Sequence, residues 1–453
     1  MKKNNLSRRH FIGTVSLSTV GMAASGAIPV IGKTSGNSGK LAILGGEPVR
    51  KNKSWPQWPH IDDKMIAQLT ETAKSGLWGR INNPKNGTVA RFEEEYAKMI
   101  GVKSCVAVGS GTQALHTSVE ALGLGPGDEV ITSPYTDPGT IAAILSARAL
   151  PVLADIDRYS FQVNPDDVER RINKNTKAIM PVHMMGQPAD MDRFLEIARK
   201  YKLYLIEDAC QAHFAKFRGK MLGTLGDIGC FSHQTSKVIA CGEGGSIISN
   251  NAELIERCYT VQNHGTSRKG STETIGPKYR MNEFEGAILV GQLPTALERH
   301  AIRNRNANYL TSKIKDIPGI TPQKLYDGTE EGSFYLYTMN YNKEEYHGAP
   351  REKYFKALAA EGISLSPYIK NGLHKELWID NIVNRKEYQQ MYGKDRLQQF
   401  KEEMDCPVCD LICNEEMLML WASGPLLGTK EDMDDVINAL TKVYENRDKL
   451  NTI

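Results

Sequence analysis

Asp208, Ser232 and Lys237 are the residues of this sequence whose types and spacing point most directly to chemistry. Lys237 lies five residues after Ser232 in the run Phe231-Ser-His-Gln-Thr-Ser-Lys237, and that run follows Leu203-Tyr-Leu-Ile-Glu-Asp208-Ala-Cys-Gln211. An acid closing an apolar strand, then a hydroxyl and a primary amine, is the set that pyridoxal phosphate (PLP) chemistry requires. The amine forms a Schiff base with an aldehyde, the hydroxyl can hold a phosphate, and the carboxylate keeps a pyridine nitrogen protonated so that the ring draws off electrons. A lysine in a polar loop is ordinarily just a solvated cation. The reading of Lys237 therefore rests on its company.

That company extends along the chain. Gly109-Ser110-Gly111-Thr112 stands between a strand and a helix start. There, free backbone N–H groups and the helix dipole favour a phosphate, although glycine turns before helices are common. Asp208 falls at the carboxyl end of its strand, where α/β sheets place their ligand crevice. A buried Asp needs a partner, and a pyridinium, a helix N-terminus or a structural cation would each serve. Gln211 stands within reach of a cofactor ring oxygen. Ser232 offers a hydroxyl, though a Ser ending a strand is also a common turn residue. Gly242-Glu-Gly-Gly245 then makes a flexible turn into the next strand.

The elements that must position these groups alternate. Strands are expected at residues 104–108, 129–133, 150–154, 178–183, 203–207, 228–232 and 246–249, with helices at 92–100, 113–122, 141–147, 166–172 and 191–200. Strands separated by helical crossovers imply a mostly parallel sheet covered on both faces. Pro294 marks a start or kink of the next helix. A largely polar helix is expected over 296–314, a strand over 333–341 and a helix over 351–361. Thr429-Lys-Glu-Asp432 opens a final helix with Met433, Val436, Ile437, Leu440 and Val443 on one face.

The 453 residues, 40% hydrophobic and 24% charged, suit a soluble chain of two domains. Lys2, Lys3, Arg8 and Arg9 account for more than the whole formal excess of +3. The remaining body is near neutral and offers no field for nucleic acid or an anionic membrane. Ser7-Arg-Arg-His-Phe-Ile12, a weakly apolar stretch and Ser25-Gly-Ala27 resemble a twin-arginine export signal cleaved after Ala27. The alternative is a basic tail; a membrane span fits less well because the run is short and diluted by Gly, Ser and Thr. Export by this route would engage the twin-arginine translocase and deliver a chain folded in the cytoplasm, with its cofactor, to the periplasm. Cys406, Cys409 and Cys413 are spaced like metal ligands, but no fourth ligand of familiar spacing completes them, so no metal is expected.

Taken together, Gly111-Thr112, Glu207-Asp-Ala-Cys-Gln-Ala-His213, Gly226-Asp-Ile-Gly-Cys-Phe-Ser232 and Lys237 with Gly242-Glu-Gly-Gly245 resemble the sugar aminotransferase family of DegT, DnrJ and StrS. Gly125-Pro-Gly-Asp-Glu-Val-Ile131, Gly186-Gln-Pro-Ala-Asp-Met-Asp192 and Tyr279-Arg-Met281 match as well, from about Leu44 to the last helix. The resemblance implies the fold type I architecture of PLP enzymes: a large, mostly parallel seven-stranded sheet domain and a smaller α+β C-terminal domain. We therefore expect a signal over residues 1–27, an N-terminal segment with the large domain over 28–300, and the small domain over 301–453. It further implies a homodimer with active sites at the interface and Lys237 as the Schiff-base lysine. Asp208 would lie on the pyridine nitrogen, and Gly111, Thr112 and Ser232 around the phosphate. The implied reaction is transamination from an amino acid, commonly glutamate, to a keto-sugar, often nucleotide-linked, or to a cyclitol.

Two departures from the family pattern stand out. Asp137 occupies a position where many members carry an aromatic residue that stacks on the cofactor, so either Tyr135 takes that role or the cofactor face differs. Lys278 occupies a position where an Asn often reaches the partner's phosphate; it either serves there as a cation or is a solvated surface lysine. Two other activities remain open from the sequence: dehydration or elimination on the same scaffold, for which His233 is the nearby alternative to Lys237, and a binding protein that kept the fold. An exported transaminase would also lack an obvious supply of cytoplasmic substrates.

Overall fold

The computed structural model describes residues Gly39–Ile453; the expected export signal lies outside the described residues. Seven strands form one sheet in the order β1-β9-β8-β5-β4-β2-β3. They are β1 (Ser104–Val108), β2 (Glu129–Thr132), β3 (Leu150–Leu153), β4 (Thr176–Ile179), β5 (Tyr204–Asp208), β8 (Ile228–Ser232) and β9 (Gly245–Ser249). Only β9 runs against its neighbours β8 and β1. Every residue of β8 and β9 is buried, as the near-continuous apolar runs of a sheet covered on both faces require. β4 stops at Ile179, short of the expected His183, because Pro181 has no N–H to give the ladder.

Helices cover the sheet: α1 (Asp63–Ser75), α2 (Thr88–Ile100), α3 (Gly111–Ala121), α4 (Pro138–Ser146), α5 (Pro165–Arg171), α6 (Met191–Tyr201), α7 (Ala252–Gln262) and α8 (Glu283–Gln292). Their starts are written in side chains. The Ser110 hydroxyl accepts from Gln113 N to begin α3, and the Asp137 carboxylate accepts from Gly139 N, with Pro138 in the first turn, to begin α4. α7 and α8 were not foreseen. The interior of α8, Gly-Ala-Ile-Leu-Val-Gly, is apolar almost throughout and shows no helical stripe. Pro294 sits in a short 3-10 turn between α8 and α9 (Ala296–Ile314).

A second core surrounds an antiparallel sheet of β10 (Ile320–Pro322), β12 (Leu336–Tyr341) and β13 (Met417–Trp421), packed by α9, α10 (Arg351–Ala360) and α15 (Lys430–Glu445). A small separate sheet of β6 (Lys216–Phe217), β7 (Lys220–Met221) and β11 (Thr329–Glu331) puts Phe217 into the core of the large sheet. The expected division at residue 300 is crossed in both directions. Leu41 is buried in the second core, and Arg50 reaches Asp432 at 2.7 Å and Asp435 at 2.9 Å. Conversely, α11 (Trp378–Asn384), α12 (Lys386–Tyr392) and α13 (Lys394–Glu402) pack Ile379, Tyr388 and Phe400 into the core of the large sheet. There Arg396 makes a bidentate bond with the fully buried Glu129 of β2. The short α14 (Pro407–Leu411) then leads back to β13. Among the described residues, no helix is long and apolar enough to cross a membrane.

Candidate active site

The carboxyl ends of β1, β2, β5 and β8 open on one cavity of about 460 Å3, which Tyr335, Tyr368 and Trp421 from the C-terminal part of the chain also line. Asp208 ends β5 there, almost fully buried. Its Oδ2 accepts the Thr140 hydroxyl at 2.8 Å, and its Oδ1 accepts the Cys210 N–H at 3.2 Å. Burial raises the carboxyl above its ordinary range, while these hydrogen bonds and the positive charge of Lys237 pull the other way. An acid so placed gains from a cation beside it.

Lys237 lines the same cavity, with Nζ 4.1 Å from the centroid of the Tyr335 ring. Ser232, Gly111 and Thr112 line it too, with Gly111 packed against Ser232. The first intrahelical bond of α3 is made by Ala114 to Ser110, so the N–H groups of Gly111 and Thr112 precede it and have no helical partners. A Cβ on Gly111 would stand 2.7 Å from Ser232 Cβ and 3.0 Å from Cys210 Sγ. Glycine keeps this cradle open. Behind it, the Ser232 carbonyl accepts from His213 Nε2 at 2.7 Å, and His213 Nδ1 takes the Tyr96 hydroxyl at 2.8 Å. Burial holds His213 down to about 4, so it is neutral and keeps one tautomer.

Six of the eight residues singled out from sequence thus meet in one cavity: Gly111, Thr112, Asp208, Gln211, Ser232 and Lys237. Gln211 is already occupied within the chain, donating to the Tyr368 hydroxyl at 2.9 Å and accepting from Met185 N at 2.8 Å. Tyr135 is elsewhere. Its side chain is fully buried behind the cavity wall, against Phe161 and Tyr368, and does not line the site. The chain bends after β2, and Thr136 rather than Tyr135 takes the cavity side. Asp137 does line the cavity, but as the cap of α4. Lys278 is exposed and lies outside this chain's cavity. His233 is buried in the core, with Nε2 3.0 Å from Ser246 Oγ, and does not compete with Lys237. Sequence reading missed Thr140, Tyr335, Tyr368 and Trp421. Thr140 had a weak signal as a hydroxyl in the first turn of the helix that Asp137-Pro138 announces; the aromatic residues come from distant segments and had none.

The donor set fits PLP: an amine, a raised buried acid for a pyridinium, and a glycine-lined helix start beside a hydroxyl for a phosphate. Among the described residues, no cluster of His, Cys, Asp or Glu is placed to hold a metal ion. Residues 59–440 match the DegT/DnrJ/EryC1/StrS aminotransferase family. The chain belongs to this family. It is a PLP-dependent aminotransferase with the fold type I architecture. The aminotransferase is 33% identical over 430 residues to the L-glutamine:2-deoxy-scyllo-inosose aminotransferase of Streptoalloteichus tenebrarius, covering 90% of this chain and 99% of that one. It is 32% identical over 424 residues to the L-glutamine:scyllo-inosose aminotransferase of Streptomyces griseus, covering 90% and 98%. Among solved structures it resembles 3-amino-5-hydroxybenzoic acid synthase, with a TM-score of 0.75 and 25% identity over 88% of this chain and 99% of that one. It also resembles DesV of S. venezuelae, with a TM-score of 0.69 and 27% identity over 86% and 99%.

Proposed function

We propose that this aminotransferase delivers the amino group of an amino acid, with L-glutamine the favoured donor, to the ketone of a free cyclitol or sugar ring. The observation that carries the choice of acceptor is the cavity's charge. Among the described residues that line it, Lys237 is the sole cation, while Asp137 and Glu243 place exposed carboxylates in the wall. A nucleotide-linked substrate would bring a pyrophosphate against those acids, and this chain's own wall offers no Arg to meet it. A neutral polyol meets hydroxyls, amides and the half-exposed indole of Trp421. The two inosose aminotransferases named above support the same choice.

In this site PLP would be held by Lys237 through its aldehyde, by Asp208 at the ring nitrogen, and by Gly111, Thr112 and Ser232 at the phosphate. When bound, it supplies an electron sink for the carbon that loses or gains the amine. Once released from the aldehyde by the incoming amine, Lys237 Nζ would be the free basic group inside the cavity, able to take a proton from the reacting carbon and return it. Asp208 holds the counter-charge to the ring nitrogen, and Thr140 holds Asp208. The walls formed by Tyr335, Tyr368 and Trp421 keep bulk water from the reacting carbon.

The proposal includes a homodimer in which Lys278 reaches the partner's phosphate, and export through the twin-arginine translocase to the periplasm. The exposed run Leu77, Trp78 and Ile81 supports a partner contact, and Arg8-Arg9 with Ala27 supports export. Sedimentation and cell fractionation test these two points. For the reaction, the PLP-loaded protein should absorb near the visible edge, and borohydride should trap an adduct that Lys237→Ala abolishes. L-glutamine should bleach the band and an inosose should restore it. Restoration by a nucleotide-linked keto-sugar, with none by any free cyclitol or sugar ketone, would overturn the acceptor assignment.

A further inference from the structure

Lys237 belongs to no strand or helix, so something outside its own loop must fix where its amine points. Its N–H closes a turn on the Gln234 carbonyl at 2.8 Å. Its carbonyl accepts the indole N–H of Trp58 at 3.1 Å, from a residue 179 positions away. The carbonyl just before it, that of Ser236, accepts the Ser423 hydroxyl at 2.7 Å. Two successive carbonyls of the lysine's loop are therefore held from opposite ends of the chain.

Those two holders are themselves joined. Arg303, almost fully buried, donates from Nε and Nη2 to the Ser423 carbonyl at 3.0 and 2.8 Å, and its guanidinium lies 4.6 Å from the centroid of the Trp58 ring. Burial and the nearby Arg299 bring Arg303 down to about 9, which leaves it charged at neutral pH and attracted to the indole face. The strap that carries Trp58 is pressed close: a Cβ on Gly424 would stand 2.7 Å from the Pro56 carbonyl oxygen and 3.2 Å from Trp58 Cβ. We propose that Trp58 is a positioning residue, and that the N-terminal strap over residues 55–59 sets the backbone of Lys237 from outside the cavity. The proposal rests on Lys237 being the lysine that carries the cofactor. A displacement of about 1 Å at a reacting group costs on the order of a hundredfold in rate, so a remote backbone clamp has catalytic consequences.

Trp58→Phe keeps a ring over Arg303 and removes the N–H. Hydrogen–deuterium exchange on the full chain without cofactor should show peptides covering residues 234–242 exchanging about fivefold to tenfold faster, as for one lost hydrogen bond, with the rest of the sheet unchanged. Gly424→Ala, which pushes the strap outward, should give the same local signature. With PLP bound, the pH midpoint of the visible band should move in Trp58→Phe, and kcat should fall with the acceptor KM unchanged. Wild-type exchange over 234–242 together with an unmoved band midpoint would overturn the proposal, as would loss of protection spread evenly over the chain. If borohydride traps nothing at Lys237 in the wild type, it is the cofactor assignment that fails, and the exchange data still report on the clamp.

Discussion

Thr140 donates its hydroxyl to Asp208 at 2.8 Å, joining the first turn of α4 to the end of β5. The donor is neutral, so it orients the carboxylate without cancelling its charge. The acid stays available to a cation arriving in the cavity, while its rotamer is settled beforehand. This is preorganisation by a helix start, and it explains why the loop from Ser133 to Asp137 ends in a capped helix rather than continuing as open chain.

Asp208→Asn should separate stability from function. Burial places the folded carboxyl above its ordinary value of 3.8, so the folded chain binds the proton more tightly than the unfolded chain. The stability this confers is present below 3.8 and is lost as pH rises toward the folded value. Without cofactor, Asp208→Asn should therefore match the wild type in acid and exceed it at neutral pH. Its affinity for PLP should fall by about 3–5 kcal/mol, because a buried pyridinium loses its counter-charge. Thermal melts across pH, with and without PLP, check both halves.

Gly111→Ala should close the phosphate cradle. The added methyl meets Ser232 Cβ at 2.7 Å, and two packed elements must part to admit it. We expect a loss of about 1–3 kcal/mol in stability and a larger loss in PLP retention, measured by dialysis of the loaded protein.

Trp421→Ala should report on the ring of the acceptor. Trp421 is the exposed end of an otherwise buried strand and lies edge-on to Tyr335 at 5.9 Å. Removing it should raise KM for a cyclitol ketone about tenfold, the worth of one aromatic contact. Bleaching by L-glutamine should keep its wild-type rate, since the donor has no ring to stack. Stopped-flow traces of the two half-reactions separate these effects.

Arg50→Ala should destabilise the chain by about 3 kcal/mol by leaving Asp432 and Asp435 without their buried partner. The urea midpoint should fall while the visible band of the PLP-loaded protein at low denaturant stays unchanged.

Much of the large sheet was legible because its strands are short apolar runs between turn signals. Ser104–Val108 and Ile228–Ser232 read directly at their observed bounds. The polar half of the site was legible for the same reason, since Gly111, Asp208 and Ser232 sit where strands end or helices begin. Its aromatic half was not. Tyr335, Tyr368 and Trp421 reach the cavity through tertiary packing, which leaves no trace in local spacing, and the expected Tyr135 turns inward onto Phe161 and Tyr368 in the bend after β2. The helices from Trp378 to Glu402 were hidden because their charged faces outnumber the few apolar residues they bury.

The Arg50 clasp also sets an order of events. Glu361 receives the N–H groups of Ala42 and Val49 together with the Lys442 ammonium, and Asn446 donates to the Gly39 carbonyl. The earliest described residues therefore have no finished binding surface until the last helix exists. On a ribosome, residues 39–50 emerge long before the helix they dock on, so the second core closes only after synthesis has passed residue 446. The clamp on Lys237 waits in the same way, since the Trp58 strap finds Arg303 and Ser423 only hundreds of residues later.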